Sequence, residues 1–296
     1  MKLFNPELFS EISRLELFSR KIVDGFLCGF HQSSFRGYNV EFADHKSYEW
    51  GDDLKTIDWK LYGRTDRLYV KRFHEETNMR AFILLDSSAS MRFGQISKWH
   101  YANFLSAALS FLMLKQKDSV GIWLFNEGLK QLLPPRNRQS HFSNICSFLE
   151  SKEPGSGTFF GESIQNLARN LKKRSLIILV SDLLGDEEQI FSTLKYLSHK
   201  KHEVIVFHVM AHEEVELPYQ GYYSLVDSEK PDCLDLDIDW WKKLYQENLA
   251  KFRDKMLQFF IGAGIDYVFV STKTPVEMAL FEFLKKRRRG RGHLVL

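Results

Sequence analysis

The hydrophobic pattern of this chain changes character near residue 78. Ahead of it, residues 6–27 place Leu8, Ile12, Leu15, Phe18, Ile22 and Val23 at helical spacing, which predicts an amphipathic helix. Over residues 28–76 the periodicity fades, glycines punctuate a mixture of charges and aromatics, and the segment reads as an irregular, partly β extension. Past residue 78, short apolar runs alternate with longer helical stretches. Ala81-Phe82-Ile83-Leu84-Leu85 leads into Asp86, and Leu176-Ile177-Ile178-Leu179-Val180 leads into Ser181-Asp182. Unbroken runs of that length suit strands buried on both faces of a parallel sheet.

The helix predicted over 98–115 carries Trp99, Ala102, Leu105, Ala108, Leu109, Leu112 and Met113 and leaves little polar surface. Such a helix is expected to be covered on more than one side. Residues 120–125 read as a second buried strand, and 129–133 as a third, hairpin-connected and closed by Pro134-Pro135. Helices are expected over 138–150 and 161–173, separated by the glycine-containing loop 153–158. Asp186 is placed to cap a helix reaching about residue 200. Strands at 204–209, 222–226 and 267–270, a helix over 239–261 and a last helix from Pro275 complete the pattern. This alternation predicts an α/β fold: a doubly wound, Rossmann-like, mostly parallel sheet with helices on both faces and an N-terminal extension packed against it. The expected division is an extension over 1–77 and an α/β domain over 78–296.

Ligands of open α/β sheets bind beyond the carboxyl ends of the strands, where the strand order reverses. Asp86, Ser88 and Ser90 follow the first strand with DxSxS spacing, so alternate side chains of a tight loop turn one carboxylate and two hydroxyls the same way. Asp182 ends the fourth α/β strand, which neighbours the first in a common doubly wound order. Thr158, flanked by glycines, supplies a further hydroxyl. Hard oxygen donors of this kind suit Mg2+ or another divalent cation, and two carboxylates with three neutral hydroxyls leave coordination to be completed by a carboxylate of a partner protein. Asp and Ser after a strand are also ordinary turn and cap residues. The joint order of DxSxS, loop threonine and strand-end aspartate favours the cation.

That arrangement resembles the metal-ion-dependent adhesion site of von Willebrand factor A domains. The segment before it resembles the signature of the bacterial domain-of-unknown-function family 58, through Tyr48, Gly51-Asp52-Asp53, Ile57-Asp58-Trp59-Lys60, Arg64, Leu68, Val70-Lys71-Arg72-Phe73 and Glu75-Glu76, with Gly25, His31 and Gly37 ahead of them. The resemblance implies a von Willebrand factor A-like fold in which Ser88 and Ser90 coordinate the metal, Asp86 and Asp182 act directly or through water, and Thr158 completes the set. It also implies association with MoxR-type AAA+ ATPases, hence a non-enzymatic adaptor role linked to chaperone-like assembly. The mixed-charge cluster around Asp52, Asp58, Lys60, Lys71 and His74 reads as ion pairs and turn caps, and Trp50 and Trp59 as packing residues.

Composition narrows the classes. The chain has 296 residues, 44% hydrophobic and 14% aromatic, enough for a sizeable core. With a net charge of +3, bulk electrostatics do not announce a nucleic-acid protein. The run Lys285-Lys286-Arg287-Arg288-Arg289 reads as a solvated helix end favoured by the helix dipole, with nucleic-acid contact the weaker reading. Three dispersed cysteines make no zinc or redox motif. No segment approaches the ~20 apolar residues of a membrane span, and no secretory signal opens the chain, so a cytoplasmic protein is expected. No phosphate loop, GxSxG elbow or HExxH helix occurs. The competing enzyme reading is a magnesium-dependent phosphohydrolase with Asp86 as nucleophile, although Ser88 stands where a DxD-type phosphatase carries its acid–base carboxylate. Alternating Asp232, Asp235, Asp237 and Asp239 read as an exposed loop or edge strand, because no glycine provides the sharp turn of a calcium loop.

Overall fold

The computed structural model describes residues 15–32, 45–48, 59–71, 79–126, 130–155, 173–226 and 233–291, with the single positions 57, 164 and 171. It forms two compact units, Met1–Phe26 with Met79–Leu296, and Leu27–Asn78.

Helix α1 (Leu15–Gln32) begins the described chain and runs on through residues 28–32, where the sequence reads as irregular. In the smaller unit, β1 (His45–Ser47) precedes α2 (Trp59–Thr65), and β2 (Tyr69–Lys71) pairs back on β1 antiparallel, Ser47 opposite Tyr69. Ile57 is buried there. Trp59 is not the packing residue expected: it is 63% exposed and meets Tyr62 edge-on at 6.1 Å. Asp52, Asp53, Asp58, His74, Glu75 and Glu76 lie outside the described residues.

The larger unit is the predicted α/β architecture. Its strands are β3 (Arg80–Asp86), β4 (Ser119–Phe125) after α3 (Lys98–Lys115), β5 (Lys130–Arg136), β6 (Leu176–Ser181) after α4 (His141–Glu150), and β7 (Glu203–Met210) after α5 (Glu187–His199). The short α6 (His212–Glu216), an exposed hairpin of β8 (Tyr222–Val226) and β9 (Cys233–Asp237), α7 (Ile238–Gly262), β10 (Asp266–Ser271) and α8 (Val276–Arg291) follow. Six strands form one sheet in the order β10-β7-β6-β3-β4-β5, parallel throughout except for β5. The central apolar runs are buried on both faces because alternate residues face opposite helical layers. Phe82, Leu84, Ile177, Leu179, Val204 and Val206 face the cluster completed by Ile190 and Leu194 of α5 and Met256 and Phe260 of α7. Phe191 stacks on Phe259 at 3.9 Å there.

The other layer explains the apolar α3. Apart from His100 and Lys115 the helix is buried along its length. Phe18 of α1 meets Phe104 edge-on at 4.7 Å, and Phe111 packs on Phe142 of α4 at 4.8 Å. The Arg20 guanidinium lies 5.2 Å and 5.3 Å from those last two rings, covering both with a cation. The segment of α1 up to Phe26 thus belongs to the sheet-bearing unit.

One strand runs past its predicted end. β5 continues through Pro134 and Pro135 to Arg136, which an edge strand tolerates because one side needs no N–H donors. The register slips between Val120 and Ile122, at Gly121. A Cβ on Gly121 would stand 2.8 Å from Leu133 O and 2.9 Å from Pro135 N, so glycine is what lets the proline strand close on β4. The helix predicted over 161–173 lies almost wholly outside the described residues. None of the described helices is long and apolar enough to cross a membrane.

His141, buried at the start of α4, holds Val120 O with Nε2 at 3.0 Å, beside the slip. Burial pushes its pKa down, the bond to Val120 opposes this, and Arg136 adds to the depression. The unfolded chain therefore takes up this proton first, so stability is present above the ordinary pKa of about 6.5 and is lost as pH falls below it. Urea unfolding at pH 7.5 and pH 5.5 is expected to show a larger acid loss for the wild type than for His141→Gln. Equal losses would exclude His141 as a source of the acid sensitivity.

Candidate metal centre

The β3–β6 pairing aligns Leu85 with Val180 and, one step on, brings Asp86 beside Ser181, which in turn is paired with His208 of β7. The inward row is apolar up to this level and polar here, at the carboxyl ends of the strands. Asp86 Oδ2 accepts a 2.6 Å bond from the Ser181 hydroxyl, and Oδ1 accepts from Ser88 N at 3.0 Å. A 3-10 turn, Ala89–Arg92, folds the chain back so that the Ser88 and Ser90 hydroxyls meet at 3.0 Å. Asp86, Ser88, Ser90 and Asp182 are all buried. Burial pushes the Asp86 pKa up, the charge of Asp182 adds to this, and the bonds from Ser181 and Ser88 offset only part, leaving it at about 7.

Asp182 takes a different partner. Lys98, the first residue of α3, is 1% exposed, and its ammonium donates to Asp182 Oδ2 and to Glu214 Oε1, each at 2.7 Å. Asp182 Oδ1 accepts from Leu184 N at 3.2 Å, and Glu214 Oε2 accepts from Ala211 N at 2.8 Å, closing the start of α6. A cation at a helix N-terminus opposes the macrodipole, and burial opposes its charge. Asp182 and Glu214 together more than offset the burial and hold the ammonium above the ordinary lysine range. Past Asp182 the backbone turns sharply, with Leu183 at φ 54° and Gly185 at φ 147°, and Ser181 Oγ accepts from Leu183 N at 2.9 Å. His208 stays neutral behind this level: burial brings its pKa down to about 4, and Nδ1 lies 2.7 Å from the Tyr267 hydroxyl.

Thr158 lies outside the described residues. The chain leading to it is pinned at the site, because Gly155 N donates to Ser87 O at 2.7 Å and the Arg92 guanidinium donates to Pro154 O. The structure thus brings Asp86, Ser88 and Ser90 together and sets Asp182 one strand away against Lys98, and Pro154 and Gly155 are the last residues described before Thr158. Reasoning from the sequence missed Ser181, Lys98 and Glu214. A lysine opening an otherwise apolar buried helix was the one available signal.

The donor set fits a small hard cation. Two hydroxyl oxygens and a carboxylate with only neutral donors converge in a buried loop. Among the described residues no group of three or more His, Cys, Asp or Glu is placed to hold a metal, so an ion here depends on the serines. Asp182 and Glu214 share one ammonium, and Asp86 stands on the adjacent strand with no cation paired to it among the described residues.

Fold and site define a doubly wound α/β protein with a carboxylate–hydroxyl loop at the topological switch point. The chain belongs to the family described as protein of unknown function DUF58, whose model matches residues 44–255. Uncharacterized proteins from Mycobacterium tuberculosis and Mycobacterium bovis are each 25% identical over 292 residues, covering 97% of this chain and 92% of the relative. Among solved structures, the conserved hypothetical protein BatB from Bacteroides thetaiotaomicron is similar at TM-score 0.48 and 21% identity, covering 71% of this chain and 99% of that one. An aerotolerance-related membrane protein from Bacteroides fragilis gives TM-score 0.48 at 20% identity, covering 71% and 99%. The SpRpn10 VWA domain gives TM-score 0.43 at 13% identity, covering 68% and 93%.

Removing Lys98 leaves the buried Asp182 and the half-buried Glu214 without their cation, and breaking a buried pair typically costs about 3–5 kcal/mol. Lys98→Ala is expected to lose stability in that range by urea denaturation, and Glu214→Gln introduced with it to recover part of the loss. A change below about 1 kcal/mol for Lys98→Ala would mean that the triad contributes little.

Proposed function

We propose that this chain is a non-enzymatic, von Willebrand factor A-like interaction module whose binding depends on a divalent cation, with Mg2+ as the fitting ion. The observation that carries this reading is one buried loop at the carboxyl end of the central strand, in which Asp86 Oδ1 accepts from Ser88 N and the Ser88 and Ser90 hydroxyls lie 3.0 Å from each other. Ser88, Ser90 and Asp86 would hold the ion, Asp182 would act through water, and Thr158 would complete the set. When bound, such an ion supplies a Lewis-acidic point that prefers an anionic oxygen. A partner protein presenting a carboxylate is the ligand this chemistry selects.

The chain's own residues prepare that surface. Ser181 and Ser88 N hold the Asp86 carboxylate in one orientation, so little side-chain freedom remains to be lost on binding. Phe93 and Leu184, 44% and 51% exposed, follow the two site loops and offer apolar contacts beside the acidic level. A phosphohydrolase is the poorer reading, because Ser88 occupies the position where such an enzyme needs its acid–base carboxylate. The resemblance of the 48–76 signature to family 58 supports a MoxR-type AAA+ ATPase as the partner, and the two would meet in the cytoplasm.

The test is retention of a purified MoxR-type ATPase on the immobilised chain, with Mg2+ and with EDTA. Retention is expected in Mg2+, and at least a tenfold loss with EDTA, Asp86→Ala or Ser88→Ala, while circular dichroism keeps the folded signal. Retention that ignores both EDTA and Asp86→Ala would refute metal-dependent binding.

A further inference from the structure

The two strand-end carboxylates have unlike surroundings. Among the described residues, Asp86 accepts from neutral donors, a backbone N–H and a serine hydroxyl, and no ammonium or guanidinium is paired with it. Asp182, on the adjacent strand, has one oxygen on the Lys98 ammonium at 2.7 Å and the other on Leu184 N. Lys98 in turn has little room to leave. It is the first residue of a helix buried along nearly its whole length, it is 1% exposed, and Glu214 holds it from the far side at 2.7 Å. Glu214 is itself fixed by Ala211 N at the start of α6.

We infer that Lys98 is a positioning residue for the cation site: its ammonium keeps Asp182 from direct contact with a divalent ion and thereby limits how tightly that ion is held. This rests on the metal reading above and adds a residue that the five-residue motif does not include. An ammonium beside the site repels a dication, and a carboxylate already bonded to that ammonium is a poor inner ligand. Affinity is then set by Asp86 and the hydroxyls, with Asp182 at one water's remove. A weakly held ion keeps a coordination position for a partner's oxygen.

The experiment measures Mg2+ binding by calorimetry and Mn2+ hydration by water-proton relaxation, with the metals alone as probes. The main variant is Lys98→Met with Glu214→Gln, which removes one positive and one negative charge and keeps the net charge unchanged. Lys98→Gln with Glu214→Gln serves if the first fails to fold. Expected are at least tenfold tighter Mg2+ binding than wild type and about one fewer water on bound Mn2+, as Asp182 takes its place. Adding Asp182→Asn should cancel both gains, and Lys98→Arg, which retains the cation, should show neither. Wild-type binding with no gain in the folded double variant, or a gain that survives Asp182→Asn, overturns the role of Lys98 and leaves the metal reading standing. Absence of Mg2+ and Mn2+ binding in wild type and every variant overturns the metal reading itself.

Discussion

The parallel pairing of β3 with β6 is the constraint from which the rest follows. Side chains alternate faces along a strand, so the Leu85–Val180 register decides that Asp86 and Ser181 share a face and a level. A slip of one residue would send Ala81, Ile83 and Leu85 into the layer of α5 and α7 and carry Asp86 to the side of α3. Burial on both faces forbids it, since every residue of β3 after Arg80 and every residue of β6 is buried. The same packing that stabilises the sheet thereby aligns the polar row at its end.

At that end the protein meets an electrostatic problem that its core cannot solve with apolar groups. Carboxylates taken out of water need cations or hydrogen bonds. Asp182 and Glu214 are answered by Lys98, drawn in by a helix whose dipole alone would disfavour it. Among the described residues Asp86 is answered by neutral donors, and burial together with the charge of Asp182 pushes its pKa up. One carboxylate is paired with a cation and its neighbour is held by hydrogen bonds alone among the described residues. That asymmetry separates a residue that holds loops together from one suited to a ligand.

Much of the fold was legible because it is periodic. The helix over 98–115, the strand ending at Asp86 and the Asp186 cap came directly from local pattern, and Asp186 does accept from Glu188 N and Gln189 N. The adjacency of the Asp86 and Asp182 strands followed from the topology rules of open sheets. Less legible were the proline continuation of β5, which depends on being at the edge, and the exposure of Trp59. In both cases the deciding fact is what lies alongside, which no local window contains.

By itself, the sequence determined the order of strands and helices, the doubly wound class and the presence of acids and hydroxyls beyond two central strands. These depend on side-chain periodicity and on backbone preferences that act over a few residues. Only the tertiary structure decided that Ser181 meets Asp86, and that Lys98, 84 positions before Asp182, meets that carboxylate. Such contacts depend on register, and on where a helix crosses the sheet. Both are set by packing between segments remote in the chain.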